Sequence, residues 1–176
     1  MSGCLEAGAW LDAVTAAASE FTATTLDFPL GATVGLRALP LELTGCYVAL
    51  VGKNHSVQVG LASDPLGCQD LARALFGTDE DLPDSEVNDA LGEIANIIAG
   101  GVKSRCSEAH AGLSLGLPMA MEGHVRPSDR QTFAHCDVGF GEVPVRLSVL
   151  CTGELAAESP ASTRGDKFRE RLQTKP

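Results

Sequence analysis

The sequence predicts an α+β domain in which long helices pack on a central antiparallel or mixed sheet. Three observations lead to this fold class. Apolar residues recur every three or four positions in 5–24 and in 84–105, which is the period of an amphipathic helix. Residues 55–62 alternate between apolar and polar, as a half-buried strand does. The chain has 176 residues, 44% of them hydrophobic and 20% charged, which suits one domain with a sizeable core.

Turn and capping residues separate the predicted elements and give their order along the chain. Gly52-Lys53-Asn54 joins two strands into a hairpin, Ser63-Asp64-Pro65 starts the second helix, and Gly141-Glu142 joins the last two strands. The predicted elements are a helix at 5–24, strands at 41–51 and 55–62, helices at 65–76 and 84–105, and strands at 113–118, 133–140 and 143–151. We predict that 1–152 form a single domain and that 153–176 form a flexible charged tail.

The charge and hydropathy of the chain exclude several classes of partner. The formal net charge is -10, which disfavours nucleic acid and anionic membrane surfaces, because both attract basic proteins. There is no run of about eighteen apolar residues that would span a membrane. The N-terminus lacks the basic and apolar regions of a secretory signal, so we expect a cytoplasmic protein.

The cysteines and histidines do not form a metal-binding pattern. None of the six cysteines belongs to a C-x-x-C pair, and the four histidines are scattered rather than paired at ligand spacing. The sequence therefore disfavours a zinc site, and we expect the chain to bind no metal or cofactor of its own. Buried reduced thiols and structural or exposed histidines are the favoured interpretation.

The predicted long helix at 84–105 has one apolar face and one polar face. At about 100° per residue, the apolar stripe is centred on Ile94. Its members are Val87, Leu91, Ile94, Ile97, Ile98 and Val102, whereas Asp89, Glu93, Asn96 and Gly100 lie on the far side. Glu93 and Asn96 thus stand side by side on the exposed face. Gly92 and Gly100 flank this pair and predict a bare surface that a partner can approach closely. The alternative is a solvated face whose glycines only ease packing or end the helix, and the pattern alone favours this alternative.

The polar face also carries a resemblance to a known family. The segment Glu93-Ile94-Ala95-Asn96-Ile97-Ile98-Ala99-Gly100, led by Asp89, resembles the signature of the CheC/CheX/FliY phosphatases of chemotaxis response regulators. That signature is an acid, then Glu-x-x-Asn, then a glycine about one turn later. CheC-like members carry it twice, but here Glu20 in the first helix has no asparagine in the matching place. The chain therefore resembles CheX, which has a single signature, and the match favours the functional interpretation.

The resemblance implies an enzyme that removes the phosphoryl group from the aspartate of a CheY-like receiver domain. Asn96 would orient the hydrolytic water and Glu93 would anchor the receiver's lysine, while Asp89 is slightly better explained as a solvated residue. The receiver would bring its own magnesium ion, and the chain would form a homodimer through its sheet. Two alternatives remain open: a non-enzymatic receiver-binding or signalling adaptor module of the same fold, and an oligomer-forming scaffold domain.

Overall fold

The computed structural model describes residues 7–105 and 112–153. The predicted helix start at residue 5 and the predicted tail beyond Gly153 lie outside the described residues. The elements are α1 (Ala7–Thr25), β1 (Leu30–Gly31), β2 (Leu43–Val51), β3 (Ser56–Ser63), α2 (Pro65–Phe76), α3 (Asp84–Arg105), β4 (Ser114–Gly123), β5 (Gln131–Phe140) and β6 (Val143–Thr152). The predicted α+β fold class is confirmed, and the sheet is antiparallel rather than mixed.

Within the described ranges the six strands form one sheet in the order β1-β5-β6-β3-β2-β4. The helices cover one face of this sheet, and the core lies between them. Its largest fully buried side chains include Trp10 of α1, Leu50 of β2, Ile94 and Ile98 of α3, and Leu147 of β6. None of the helices in the described ranges has the length and apolar character needed to cross a membrane.

Strand β4 forms one edge of the sheet, beside β2, and is longer than predicted. The sequence suggested an end at Pro118, but pairing with β2 continues to Gly123. Proline is tolerated in an edge strand because the position without an N–H can face away from the neighbouring strand. The register between β2 and β4 shifts between Val48 and Leu50, so the strand carries a bulge just before the proline.

Helix α3 lies between α1 and β4. A Cβ atom placed on Gly101 would lie 3.0 Å from the Cβ atom of Ala17, so α1 and α3 approach each other closely there. Arg105 forms an ion pair with Glu20 of α1 at the end of the same contact. On its other flank, α3 meets β4 at Gly92, where a Cβ atom would lie 3.3 Å from the Cβ atom of Pro118. These two contacts fix the rotation of α3 about its axis.

Helix α2 is capped at both ends. The Asp64 carboxylate accepts a hydrogen bond from the Gly67 backbone N–H at 2.7 Å, and Gly77 ends the helix in the left-handed conformation with φ of 65°. Arg37 binds the same carboxylate with two nitrogens, at 2.5 and 2.7 Å. Hydrogen bonding from Arg37 is the main reason why the pKa of Asp64 lies below its usual range.

Candidate functional site

The candidate site is the solvent-facing side of α3. The helix has 22 residues and is therefore about 33 Å long. Acidic residues occupy its first turn and basic residues its last turn, which is the favourable arrangement for the helix dipole. Its apolar face is buried along nearly the whole length. The helix is thus a rigid support for the side chains on its exposed face.

Glu93 and Asn96 lie on this exposed face, as predicted. Glu93 is exposed and Asn96 is half-buried. Ile94 and Ala95, which separate them in sequence, are almost completely buried. The predicted register of the helix, with Leu91, Ile94 and Ile98 in the core, is confirmed. Asp89, one turn before Glu93, is also exposed.

The prediction that Ile97 belongs to the core stripe is wrong, since 39% of its surface is exposed. The large apolar residues alone define a stripe centred on Ile94. In the structure the stripe also includes Ala90, Ala95 and Ala99, which moves its centre roughly 50° from Ile94. Ile97 then lies roughly 110° from that centre, on the border of the exposed face.

The two glycines that flank the polar pair have different surroundings. Gly92 is buried beneath Pro118, so the prediction of a bare surface at this position is wrong. The close approach of β4 requires the small residue there. At Gly100, by contrast, an added Cβ atom would meet nothing within 4 Å. The bare part of the predicted surface is therefore confined to Gly100 and its surroundings.

The polar side chains of the site, Glu93, Asn96 and Asp89, take part in no hydrogen bond or ion pair within the part of the chain that the structure describes. A carboxylate accepts hydrogen bonds and cations, and a carboxamide both donates and accepts. The pair can therefore bind a basic group and a water molecule at the same time.

Residues suited to metal binding are not grouped at this site. Across 7–105 and 112–153, no three His, Cys, Asp or Glu side chains gather closely enough to hold a metal ion. Cys46, Cys68 and Cys151 are buried, and burial raises the pKa of the Cys68 thiol to about 11. Such a protonated, enclosed thiol is a poor nucleophile.

Sequence reasoning missed the part that β4 plays in the site. Pro118 covers α3 one turn before Asn96, which places the strand beside the polar pair. The sequence signals were a glycine within a helical pattern and a proline within a strand pattern. Neither signal indicates which two segments meet, because that depends on the topology of the whole sheet.

The antiparallel sheet with helices packed on it is also the fold of solved structures of CheX and of a CheC-like superfamily protein. The chain belongs to the CheX family. Residues 44–136, more than half of the chain, match the profile described as "Chemotaxis phosphatase CheX". Phosphatases of chemotaxis are thus the class to which the protein is assigned.

Solved structures agree with this fold at low sequence identity. CheX from Vibrio vulnificus has a TM-score of 0.65 and 14% identity, covering 81% of this chain and 95% of its own. CheX from Desulfovibrio desulfuricans has a TM-score of 0.64 and 13% identity, covering 80% and 97%. The CheX-CheY-BeF3-Mg complex from Borrelia burgdorferi has a TM-score of 0.58 and 15% identity, covering 82% of this chain and 98% of its own. No curated protein sequence matches the chain.

Proposed function

We propose that this protein hydrolyses the aspartyl phosphate of a CheY-like receiver domain. One observation carries the proposal: in a member of the CheX family, Glu93 and Asn96 are presented on a rigid helix without any partner in the described part of the chain. The solved complex of the Borrelia burgdorferi CheX with CheY, BeF3 and magnesium supports a receiver domain as the partner. Magnesium would come with that receiver and not with this chain.

Asn96 would position the attacking water. In hydrolysis of an acyl phosphate the water oxygen attacks phosphorus and the bond from phosphorus to the aspartate oxygen breaks. The aspartate returns to a free carboxylate, and inorganic phosphate leaves with the protons of the water. The water must lie in line with the leaving oxygen. The Asn96 carbonyl would accept a hydrogen bond from the water and its NH₂ group would donate to a phosphoryl oxygen, with no change in the charge of the side chain. A short side chain on a rigid helix suits this role.

Glu93 would anchor the receiver. Its carboxylate would pair with a lysine beside the phosphorylated aspartate and so fix the position of α3 over the reacting group. The exposed Glu86 and Asp89 lie on the same helix and extend the acidic surface along it. Such a surface attracts a basic partner and speeds its encounter. We assign Glu93 to binding rather than to proton abstraction, because a carboxylate facing a phosphate anion is badly placed as a base.

Substitution of the two residues tests their separate roles. In Asn96→Ala we expect kcat to fall by about 10²–10³ while receiver binding survives, as for loss of one orienting group in comparable chemistry. In Glu93→Ala we expect a rise in KM as the main effect. The rise should be larger at low salt, where the wild-type ion pair is least screened. The assay is phosphate release from CheY-like receivers supplied with acetyl phosphate and magnesium.

Matched controls change the same residue types at exposed positions outside the acidic surface. Asn88→Ala lies nearer the start of α3 and Glu142→Ala lies in the turn between β5 and β6, and both should leave hydrolysis close to wild type. Circular dichroism must show unchanged folding for every variant. If Asn96→Ala hydrolyses the receiver's phosphate at the wild-type rate, Asn96 does not orient the water. If wild-type protein binds a phosphorylated receiver but releases no phosphate, the adaptor hypothesis replaces the phosphatase.

We also propose that the protein is a homodimer formed through its sheet. The support is the edge strand β4, which exposes 89% of Leu117 and 58% of Met119. A long edge strand with apolar side chains is a ready template for pairing with another chain. A second copy of the protein, packed on this part of the sheet, would cover both residues.

A further inference from the structure

We infer that Ile97 is the apolar contact through which α3 holds the receiver domain, an inference that rests on the proposed function. We call the surface formed by Glu93, Asn96, Ile97 and Gly100 the docking face. The first two residues supply charge and hydrogen bonding. Ile97 supplies the apolar surface that the pair lacks, and it determines how tightly a receiver is held.

Ile97 is not exposed through fraying at a helix end. It lies in the middle of α3, between the buried Ala95 and Ile98, where the backbone is well supported. Isoleucine is also a poorer helix former than lysine, glutamate or alanine, which usually occupy solvated helix positions. Single exposed apolar residues are common on protein surfaces, so exposure alone does not define a contact. Ile97 is singled out as a contact because it lies among the residues of the site.

Ile97 is surrounded by the other residues of the docking face. Glu93 precedes it by four residues and Gly100 follows it by three, so both are its direct neighbours on the helix surface. Asn96 is the preceding residue. The four residues therefore fall within about 10 Å along the axis. The open space at Gly100 leaves one side of Ile97 accessible to a partner.

An apolar contact at this place strengthens binding in two ways. It buries apolar surface, and it excludes solvent from the neighbouring contact between Glu93 and the receiver's lysine. The partner that fits is a receiver domain with an apolar side chain next to its lysine. Glu93 would then meet the lysine while Ile97 meets the apolar neighbour.

The contributions of Ile97 and Glu93 differ in their salt dependence. Salt screens an exposed ion pair, with a Debye length of about 10 Å at 0.1 M, but it does not weaken an apolar contact. About two-fifths of the Ile97 surface remains to be buried on binding. Loss of that burial corresponds to a rise of about three- to tenfold in KM.

The experiment compares Ile97→Ala with wild type in receiver dephosphorylation at low and high salt, about 0.05 M and 0.5 M. We expect KM to rise about three- to tenfold at both salt concentrations, with kcat within about twofold of wild type. Leu66→Ala is the matched control, because Leu66 is an aliphatic residue with 58% of its surface exposed on a different helix, α2. It should leave KM unchanged.

A second pair of variants separates a loss of receiver binding from a loss of folding. Ile97→Val and Ile97→Thr introduce side chains of nearly equal shape and different polarity, so they disturb the packing of α3 similarly. We expect Ile97→Thr to have the higher KM of the two. If Ile97→Ala and Ile97→Thr both keep the wild-type KM, or if Leu66→Ala raises KM equally, Ile97 is not the contact.

The failure of this inference differs from failure of the proposed function. If the wild type hydrolyses a receiver phosphate and the Ile97 variants match it, only the inference is overturned. If the wild type binds a receiver without hydrolysis, the same variants are compared by Kd, with the same expected ratios. If no receiver binds the wild type, both the function and the inference are wrong.

Discussion

Replacing each of the two glycines of α3 by alanine tests how β4 packs on the helix. Alanine is about 1 kcal/mol more favourable than glycine in a helix interior. At Gly100 the new Cβ atom meets nothing within 4 Å, so Gly100→Ala should gain the full amount. For a protein of this size, 1 kcal/mol corresponds to a rise in Tm of about 2–4 °C.

Gly92→Ala should gain less, although the change of residue is identical. The new Cβ atom would lie 3.3 Å from Cβ of Pro118, which is tighter than ordinary van der Waals contact, and 3.8 Å from its Cγ, which is an ordinary distance. The pyrrolidine ring of Pro118 cannot rotate aside as a flexible side chain would. Either β4 moves by a few tenths of an ångström or the contact remains strained, and both offset the gain in helix propensity.

Thermal unfolding followed by circular dichroism measures the difference between the two variants. We expect Gly100→Ala to unfold above wild type and Gly92→Ala to unfold below Gly100→Ala. Equal gains in Tm would show that β4 does not cover Gly92 as described.

In the phosphate-release assay, Gly100→Ala should raise KM despite its greater stability, because its methyl group projects from the docking face. An unchanged KM would mean that the receiver does not approach α3 at Gly100.

Two further predictions concern assembly and pH. Light scattering at micromolar concentration should give the mass of a dimer, and Leu117→Lys on β4 should shift it toward the monomer; a wild-type monomer would contradict the proposed dimer. Asp64→Ala should cost about 1–2 kcal/mol at pH 7, because it removes the cap of α2 and the partner of Arg37. The folded pKa of Asp64 is depressed below 3.8, so its contribution is present above that pH and is lost as pH falls below it. The Tm difference between wild type and Asp64→Asn, which keeps a capping side chain, should therefore shrink below about pH 4. A difference that stays constant down to pH 2 would rule out the Arg37 pair as its source.

Much of the fold could be predicted because it depends on local sequence patterns. The hairpin of β2 and β3, the caps of α2 and the buried positions Leu91, Ile94 and Ile98 follow from turn chemistry and periodicity. The end of β4 was misplaced because proline normally interrupts a strand. At the edge of a sheet it does not, and only the strand order shows that β4 is an edge.

The surroundings of the polar pair could not be predicted, because they depend on contacts between distant segments. Periodicity placed Ile97 in the core and left Gly92 bare, and both placements were wrong. Each error has the same origin, which is the rotation of α3 toward β4. Alanine and glycine carry too little hydrophobic signal to reveal that rotation, although their small size is what permits it.

The packing of β4 also explains why two side chains only three residues apart differ in exposure. Asn96 is on the same side of α3 as Gly92, the side that faces β4, and it is half-buried. Glu93 points away from the strand and is exposed. A confined amide has fewer rotamers to lose when it orders a water, which lowers the entropic cost of orientation. An exposed carboxylate keeps the long-range field that attracts a basic partner. One packing contact, between Gly92 and Pro118, thereby favours the proposed roles of Asn96 in positioning the water and of Glu93 in capturing the receiver.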